Sequence, residues 1–239
     1  MVNIRLLGPP ALERDGVPVR PPRGRKAWAL LGYLLLAERP PSRERLARLL
    51  FGDAENPLGA LRWTLAELRR AVGVPGMLNG NPLVVTLGEE VTVDLQLLTG
   101  EFNGPVWWLD FRGDLLEGVQ LASSPEFESW LLVERHRVSA MVEAGLRRAA
   151  AALLVQGRAR EALAYAGRAV ARNPLEEANH RLLVRSLAMT GDRAGALRQV
   201  SICEDILRRE LGIDAPAGLR EAAATAWSRP WDTRTRQAV

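Results

Sequence analysis

The sequence predicts a mainly α-helical protein of two domains, a small α+β domain followed by an all-α repeat domain. Short β-branched runs lie on both sides of three amphipathic helical segments within residues 1–95. From residue 127 onward the chain has helical periodicity and a repeat of 34 residues. At 239 residues the chain also exceeds a typical single domain. We therefore predict domains at 1–95 and 96–227, followed by a flexible tail at 228–239.

The charge is divided unevenly along the chain. The net charge is +4, yet residues 1–73 hold thirteen basic and seven acidic side chains, while the remainder holds nineteen and twenty-one. A basic module joined to a faintly acidic one indicates a polyanionic partner for the first part only. One cysteine, Cys203, excludes an internal disulfide, and no apolar run is long enough to cross a bilayer. We expect a cytoplasmic protein with no membrane contact.

A small antiparallel sheet is predicted at the start of the chain. Residues 2–7 alternate weakly between apolar and polar side chains, and Gly8-Pro9-Pro10 ends this strand. Asp15-Gly16 is a turn signal between two short strand-like pieces that end near Arg20.

Three helices follow, each with recognisable start or stop signals. Pro40-Pro41 ends the first, Ser42 can cap the second, Asn56 with Pro57 opens the third, and Gly73 closes it. The predicted helices are 24–38, 43–51 and 57–72. Beyond them, β-branched runs at 82–87 and 91–95 flank Gly88-Glu89-Glu90 and predict a hairpin.

This order of sheet, three helices and hairpin is that of a winged helix-turn-helix. In such a domain the third helix enters the major groove of DNA, and the hairpin, or wing, lies beside it. One face of helix 57–72 is an apolar stripe made by Leu61, Leu65, Leu68 and Val72. Its other faces carry Arg62, Trp63, Thr64, Glu67, Arg69 and Arg70.

The tryptophan among arginines is the strongest lead on function. Large apolar surface in water is costly unless something covers it, so Trp63 and its neighbours predict a DNA-binding surface. Two simpler interpretations stay open: a solvated helix face, and burial of Trp63 in a dimer or interdomain contact. Arg25 and Lys26 lead into the first helix, where they meet phosphate or only solvate a loop.

The second domain contains a helical repeat. Gly157 and Gly191 are 34 residues apart, and so are Ala162 and Ala196. That period, with small residues where two helices cross, indicates tetratricopeptide-like pairs whose concave surface suits a protein partner. The predicted helices are 127–155, 159–172, 175–190, 193–210 and 216–227.

The sequence gives no sign of catalysis or of a cofactor. His136 and His180 lie on different helices without a cysteine or carboxylate at metal-ligand spacing, so we expect neutral surface or hydrogen-bonded histidines. There is no phosphate-binding glycine loop with its lysine, and no nucleophile beside a base. We predict a protein that is not an enzyme.

Several segments together resemble a known family of bacterial regulators. Residues 42–46, 51–52 and 61–70 resemble the DNA-binding domain of response regulators of the OmpR/PhoB type. More closely, the chain resembles the SARP family, activators that join such a winged helix to a bacterial transcriptional activation domain (BTAD). The segments that match this second domain are 112–116, 127–131, 173–176, 191–193 and 210–212.

The resemblance implies a transcription activator that binds repeated promoter elements and contacts RNA polymerase holoenzyme nearby. In such proteins a dimer or tandem copies occupy direct repeats. By position, Trp63 and Glu67 would touch bases, Thr64 and Arg69 would touch phosphates, and Arg43 would lie by the DNA backbone.

Two features of the chain depart from the family pattern. The tip at residues 88–90 is acidic, so we expect this wing to stay out of the minor groove, with Asn79-Gly80-Asn81 as its substitute. Glu67 stands in place of a base-reading arginine and would favour a cytosine amino group. The rival hypothesis is a tetratricopeptide-type scaffold whose winged helix has become a protein-docking module.

Overall fold

The computed structural model describes residues 1–97, 113–214 and 218–225. The chain divides into two compact units, Met1–Ala140 and Met141–Val239, and each is described by itself. The predicted tail at 228–239 lies outside the described residues. Among the described residues, no helix is long and apolar enough to span a membrane.

A four-stranded sheet opens the first unit. Strands β1 (Val2–Arg5), β2 (Ala11–Arg14) and β3 (Val17–Pro18) run antiparallel, as predicted, and β6 (Val91–Val93) pairs with β1 in parallel. The strand order is therefore β3-β2-β1-β6. The inward side chains of β1 and β2, Ile4 and Leu12, are buried and begin the core.

The three predicted helices are confirmed as α1 (Arg25–Leu36), α2 (Arg43–Phe51) and α3 (Pro57–Val72). The Ser42 hydroxyl accepts the Arg45 N–H at 3.1 Å, and the Asn56 side-chain carbonyl accepts the Gly59 N–H at 2.8 Å. Gly73 ends α3 with φ of 66°, a left-handed conformation that glycine adopts without steric cost.

The predicted hairpin of runs 82–87 and 91–95 is wrong. Strand β5 (Val84–Val85) pairs instead with β4 (Leu78–Asn79), while β6 completes the sheet. The cause is a long-range strand pairing. The free edge of β1 pairs with β6, and both valines of β6 become buried there. The hairpin turn is therefore at residues 80–83 and contains Gly80 and Asn81, two of the three residues predicted to take the place of the acidic wing tip.

The acidic turn 88–90 consequently belongs to the sheet. The Val2 N–H donates to the Glu90 carbonyl at 2.6 Å, and the Val91 N–H donates to the Gly88 carbonyl at 3.0 Å. These bonds hold the turn, which immediately precedes β6, against the start of β1, and the wing of the domain is the β4–β5 hairpin.

Asp94, which opens the short helix α4 (Asp94–Leu97), joins this helix to the first strand. One of its carboxylate oxygens accepts the backbone N–H groups of Leu6 and Leu7, both at 2.8 Å. Burial raises the pKa of the Asp94 carboxyl, although these hydrogen bonds oppose the shift. The folded state therefore holds the proton of Asp94 more tightly than the unfolded chain does.

Asp94→Asn is expected to remove a pH dependence of stability. Because the pKa of Asp94 is higher in the folded state, the wild type gains free energy of unfolding as the pH falls through that pKa, and the gain is complete below the unfolded value. The neutral amide can accept the same bonds without titrating. Urea unfolding of both proteins between about pH 7 and about pH 4 measures the difference. A difference that stays constant over this range would contradict the expectation.

Residues 113–140 also belong to the first unit. The Leu116 N–H donates to the Leu6 carbonyl at 2.8 Å, and the Arg135 guanidinium donates to the Leu115 and Leu116 carbonyls, both at 2.9 Å. The rings of Tyr33 and Trp130 lie 4.7 Å apart between centroids. This packing is why the structural division falls later than residue 95.

The second unit is helical, and its helices confirm the predicted segments. The small side chains of the predicted repeat, Ala162 and Ala196, are both fully buried. Gly157 and Gly191 have φ of 74° and 87° and so occupy equivalent turns. The helices are α5 (Pro125–Val155), which contains the division between the units, α6 (Ala159–Arg172), α7 (Glu177–Met189), α8 (Arg193–Leu211) and α9 (Gly218–Thr225).

Cys203 lies inside this core, where its small side chain is fully buried. Burial raises the pKa of its thiol to about 11. The thiol is therefore protonated at neutral pH and a poor nucleophile.

Candidate nucleic-acid interface

The core fixes which face of α3 meets solvent. Leu61, Leu65 and Leu68 are no more than 1% exposed, so the opposite face, centred on Ala66, is turned outward. The C-terminal end is held by Arg14 of β2, whose guanidinium donates to the Val72 carbonyl at 2.9 Å. With its first turn capped by Asn56 and its last turn held by Arg14, α3 presents its outer face rigidly.

Arg62 and Arg70 flank Ala66 on this outer face. The Arg62 guanidinium is exposed and makes a long hydrogen bond of 3.4 Å to the Leu58 carbonyl of the same helix. Arg70 is 68% exposed and pairs with Glu67, with 2.8 Å between its Nη1 and the carboxylate Oε2. Trp63, 53% exposed, completes the surface. Two arginines and an indole are thus available to a partner.

Two of the predicted contact residues are largely covered. Thr64 is 4% exposed, and its hydroxyl donates to the Ala60 carbonyl at 3.0 Å, so we leave it out of the proposed interface. The Glu67 side chain is 12% exposed and its charge is matched by Arg70. A base would reach this carboxylate only after Arg70 moves.

Arg69 and Arg43 hold the β4–β5 hairpin against the helices. The Arg69 guanidinium donates twice to the Leu78 carbonyl, at 3.1 and 2.6 Å. Arg43 donates its Nε–H to the Gly80 carbonyl and its backbone N–H to the Asn81 side chain, both at 3.0 Å. A guanidinium has five N–H groups, so both arginines keep donors and full charge beside the wing.

Lys26 is paired within the chain. Its ammonium lies 2.6 Å from the Asp53 carboxylate and 5.2 Å from the centre of the Phe51 ring. The hydrogen bond from Lys26 holds the pKa of the Asp53 carboxyl below its ordinary value. Lys26 therefore connects α1 to the segment after α2, and its charge is largely compensated before any partner arrives.

Arg20 and Arg23 were missed as candidate residues by the sequence reasoning, although both lie beside Trp63. The available signal was compositional, because four cations occur between residues 20 and 26 around Pro21-Pro22. Such a run in a turn is equally typical of a solvated loop, and only the fold places it along α3.

The first unit has the element order of a winged helix-turn-helix, and the helices of a repeat unit follow it in the chain. Residues 109–225 match the family model described as bacterial transcriptional activator domain. The predicted resemblance to SARP-type regulators, which carry this domain, is thereby confirmed. The family is one of transcription regulators and not a class of enzymes.

A solved structure has a similar fold. The chain superposes on Mycobacterium tuberculosis EmbR, solved in complex with a low-affinity phosphopeptide, with a TM-score of 0.64 and 20% sequence identity over 94% of this chain. It spans 64% of the length of the EmbR chain. A search among curated proteins finds no match.

Proposed function

We propose that the protein is a cytoplasmic, sequence-specific DNA-binding transcriptional activator that recognises repeated promoter elements through α3. The observation that carries the proposal is the exposed face of this helix, where Arg62 and Arg70 flank Ala66 beside Trp63. The helix axis is fixed at both ends by hydrogen bonds, so ordering it on DNA costs little entropy.

In this proposal α3 lies in the major groove, and arginine contacts to phosphate supply most of the affinity. Each phosphate contact lowers log K by about 0.9 for every tenfold rise in salt, and each good base contact adds about 1–3 kcal/mol of discrimination. In this orientation Trp63 would pack on base edges. Since one short helix reads few base pairs, a dimer or tandem copies would bind direct repeats about one helical turn apart.

The repeat unit is the proposed contact surface for RNA polymerase holoenzyme or another protein. Its family assignment supports this role, and so do large apolar side chains left in water, among them Leu197 and Ile202 of α8, which are 50% and 47% exposed. A partner that covers them would gain hydrophobic free energy.

The scaffold hypothesis has lost its main argument. It drew on an acidic wing, whereas the acidic turn 88–90 belongs to the sheet, and the wing instead lies beside Arg43 and Arg69. A winged helix turned to protein docking would not need cations at these positions.

A mobility-shift assay tests the proposal. We expect the full chain to retard the DNA upstream of its own gene more strongly than a random duplex of equal length, with affinity that falls steeply as salt rises. Footprinting should then reveal protected direct repeats. Absence of any shift even at low salt would overturn the proposed function and favour the scaffold hypothesis.

A further inference from the structure

A second basic surface runs along α3 on the side of Trp63. A groove with a volume of about 430 Å³ lies between α3 and segment 19–23, which follows β3. Its charged lining consists of Arg14, Arg20, Arg23, Glu67 and Arg70. The groove lies entirely within the first unit.

The positive charge of this groove is incompletely compensated. Arg70 pairs with Glu67, and Arg14 donates to the Val72 carbonyl, a neutral group. Arg20 and Arg23 are exposed and have neither an ion pair nor a side-chain hydrogen bond within residues 1–97, 113–214 and 218–225. Unpaired guanidinium groups beside an indole favour an anionic partner.

The two free arginines are held on a stiff segment. Pro21 and Pro22 lie between them, and each proline ring restricts its own φ. Pro22 is buried, which anchors the segment to the unit. Little backbone entropy remains to be lost when the arginines meet a partner.

The position of the groove decides the kind of partner. On α3, Arg69 contacts the β4–β5 hairpin on one side of the exposed face, while Trp63 and Glu67 line the groove on the other side. A helix in the major groove has a sugar-phosphate backbone on each of its two sides, about 12 Å apart. With α3 in the major groove, the hairpin would therefore face one backbone and segment 19–23 would face the other.

We propose that Arg20 and Arg23 form a phosphate-binding element that contacts the DNA backbone on the side of the major groove away from the hairpin. The inference rests on the proposed function and adds to it a second clamp. The element carries no sequence information, because phosphates are the same at every base pair. It sets the depth and tilt of α3 in the groove, and with them which bases Trp63 can reach.

The experiment is the salt dependence of DNA binding by the full chain, wild type against Arg20→Ala/Arg23→Ala. The probe is a fluorescent random-sequence duplex of about 30 base pairs, titrated by anisotropy from about 50 to about 200 mM salt. Loss of two phosphate contacts should make the negative slope of log K against log salt shallower by about 1.8. The Arg20→Lys/Arg23→Lys variant keeps both charges and should retain most of the slope.

A matched control separates contact from overall charge. Arg198→Ala/Arg209→Ala removes the same charge from two exposed positions on α8. An equal fall in slope for the control would overturn the inference, and so would an unchanged slope for the Arg20/Arg23 variant, which is the result expected if the groove instead binds an acidic protein. If wild type binds no duplex at all, the proposed function itself has failed. Thermal unfolding of each variant by circular dichroism verifies that the fold is intact.

Discussion

Replacing Arg62 and Arg70 together by alanine is expected to weaken promoter binding about 30-fold or more. Each arginine that meets DNA is worth about 1–3 kcal/mol, and each phosphate contact also contributes to the salt dependence. Both side chains are exposed on a helix whose opposite face forms the core, so the fold should survive the change. Anisotropy with a labelled promoter duplex at several salt concentrations measures affinity and slope.

The two arginines differ in their ion pairing, so the two single variants should have different effects on DNA binding. Arg70→Ala leaves the Glu67 carboxylate without its partner beside the DNA, whereas Arg62→Ala removes a side chain that has no ion pair within the described residues. Arg70→Ala should therefore cost more, and Arg70→Ala/Glu67→Gln should recover part of the loss. Unchanged affinity in the Arg62/Arg70 double variant, next to the Arg198/Arg209 control, would remove α3 from the interface.

Asn179→Leu is expected to lower the free energy of unfolding of the repeat unit by about 2–4 kcal/mol. Asn179 is fully buried, and its amide nitrogen lies 3.1 Å from a Glu143 carboxylate oxygen and 3.1 Å from the Ala169 carbonyl. Glu143 is itself only 8% exposed. Leucine fills a similar volume but donates nothing, so a buried carboxylate and a carbonyl lose a donor.

A double-mutant cycle with Glu143→Leu identifies the cause. When both partners are apolar, no charge is left buried without its donor, so the loss in Asn179→Leu/Glu143→Leu should be smaller than the sum of the single losses. Urea unfolding of the full chain, followed by helical circular dichroism, gives the four values. Additive losses, or a single loss below about 1 kcal/mol, would show that the pair does not stabilise the unit.

His180, the residue after Asn179, is also held by hydrogen bonds within the repeat unit. Its Nε2 lies 2.8 Å from the Pro174 carbonyl, and its Nδ1 lies 2.7 Å from the Gln199 amide nitrogen. Hydrogen-bonded at both ring nitrogens, the imidazole links α7, α8 and the turn before α7. The sequence analysis expected a neutral surface or hydrogen-bonded histidine, and the structure identifies it as the buried, hydrogen-bonded kind.

Local signals were enough to predict α1, α2 and α3. Residues Ser42, Asn56, Pro57 and Gly73 act on neighbours a few positions away, and α2 and α3 begin and end where these signals lie. The wing could not be predicted in this way. Residues 91–93 pair with residues 2–4, far away in the sequence, and β5 is left to pair with β4 as the wing.

The candidate site, too, could be predicted only in part from local signals. Helical periodicity correctly predicted that Arg62 and Arg70 face solvent. Tertiary contacts decide which other polar side chains already have partners. Arg69 donates to the Leu78 carbonyl, and Lys26 forms an ion pair with Asp53. Periodicity assigns a face of a helix but cannot identify what the rest of the fold brings to it.

The packing of residues 113–140 determines where the DNA-binding unit can be joined to the repeat unit of another regulator. A chimera joined at residue 95 would strip Leu116, Trp130 and Arg135 from the head and leave its Leu6 carbonyl and Tyr33 ring without their neighbours. A graft made inside α5, close to residue 140, transfers these contacts as one body. The practical seam for recombining such proteins thus lies within a helix, well past the end of the winged fold.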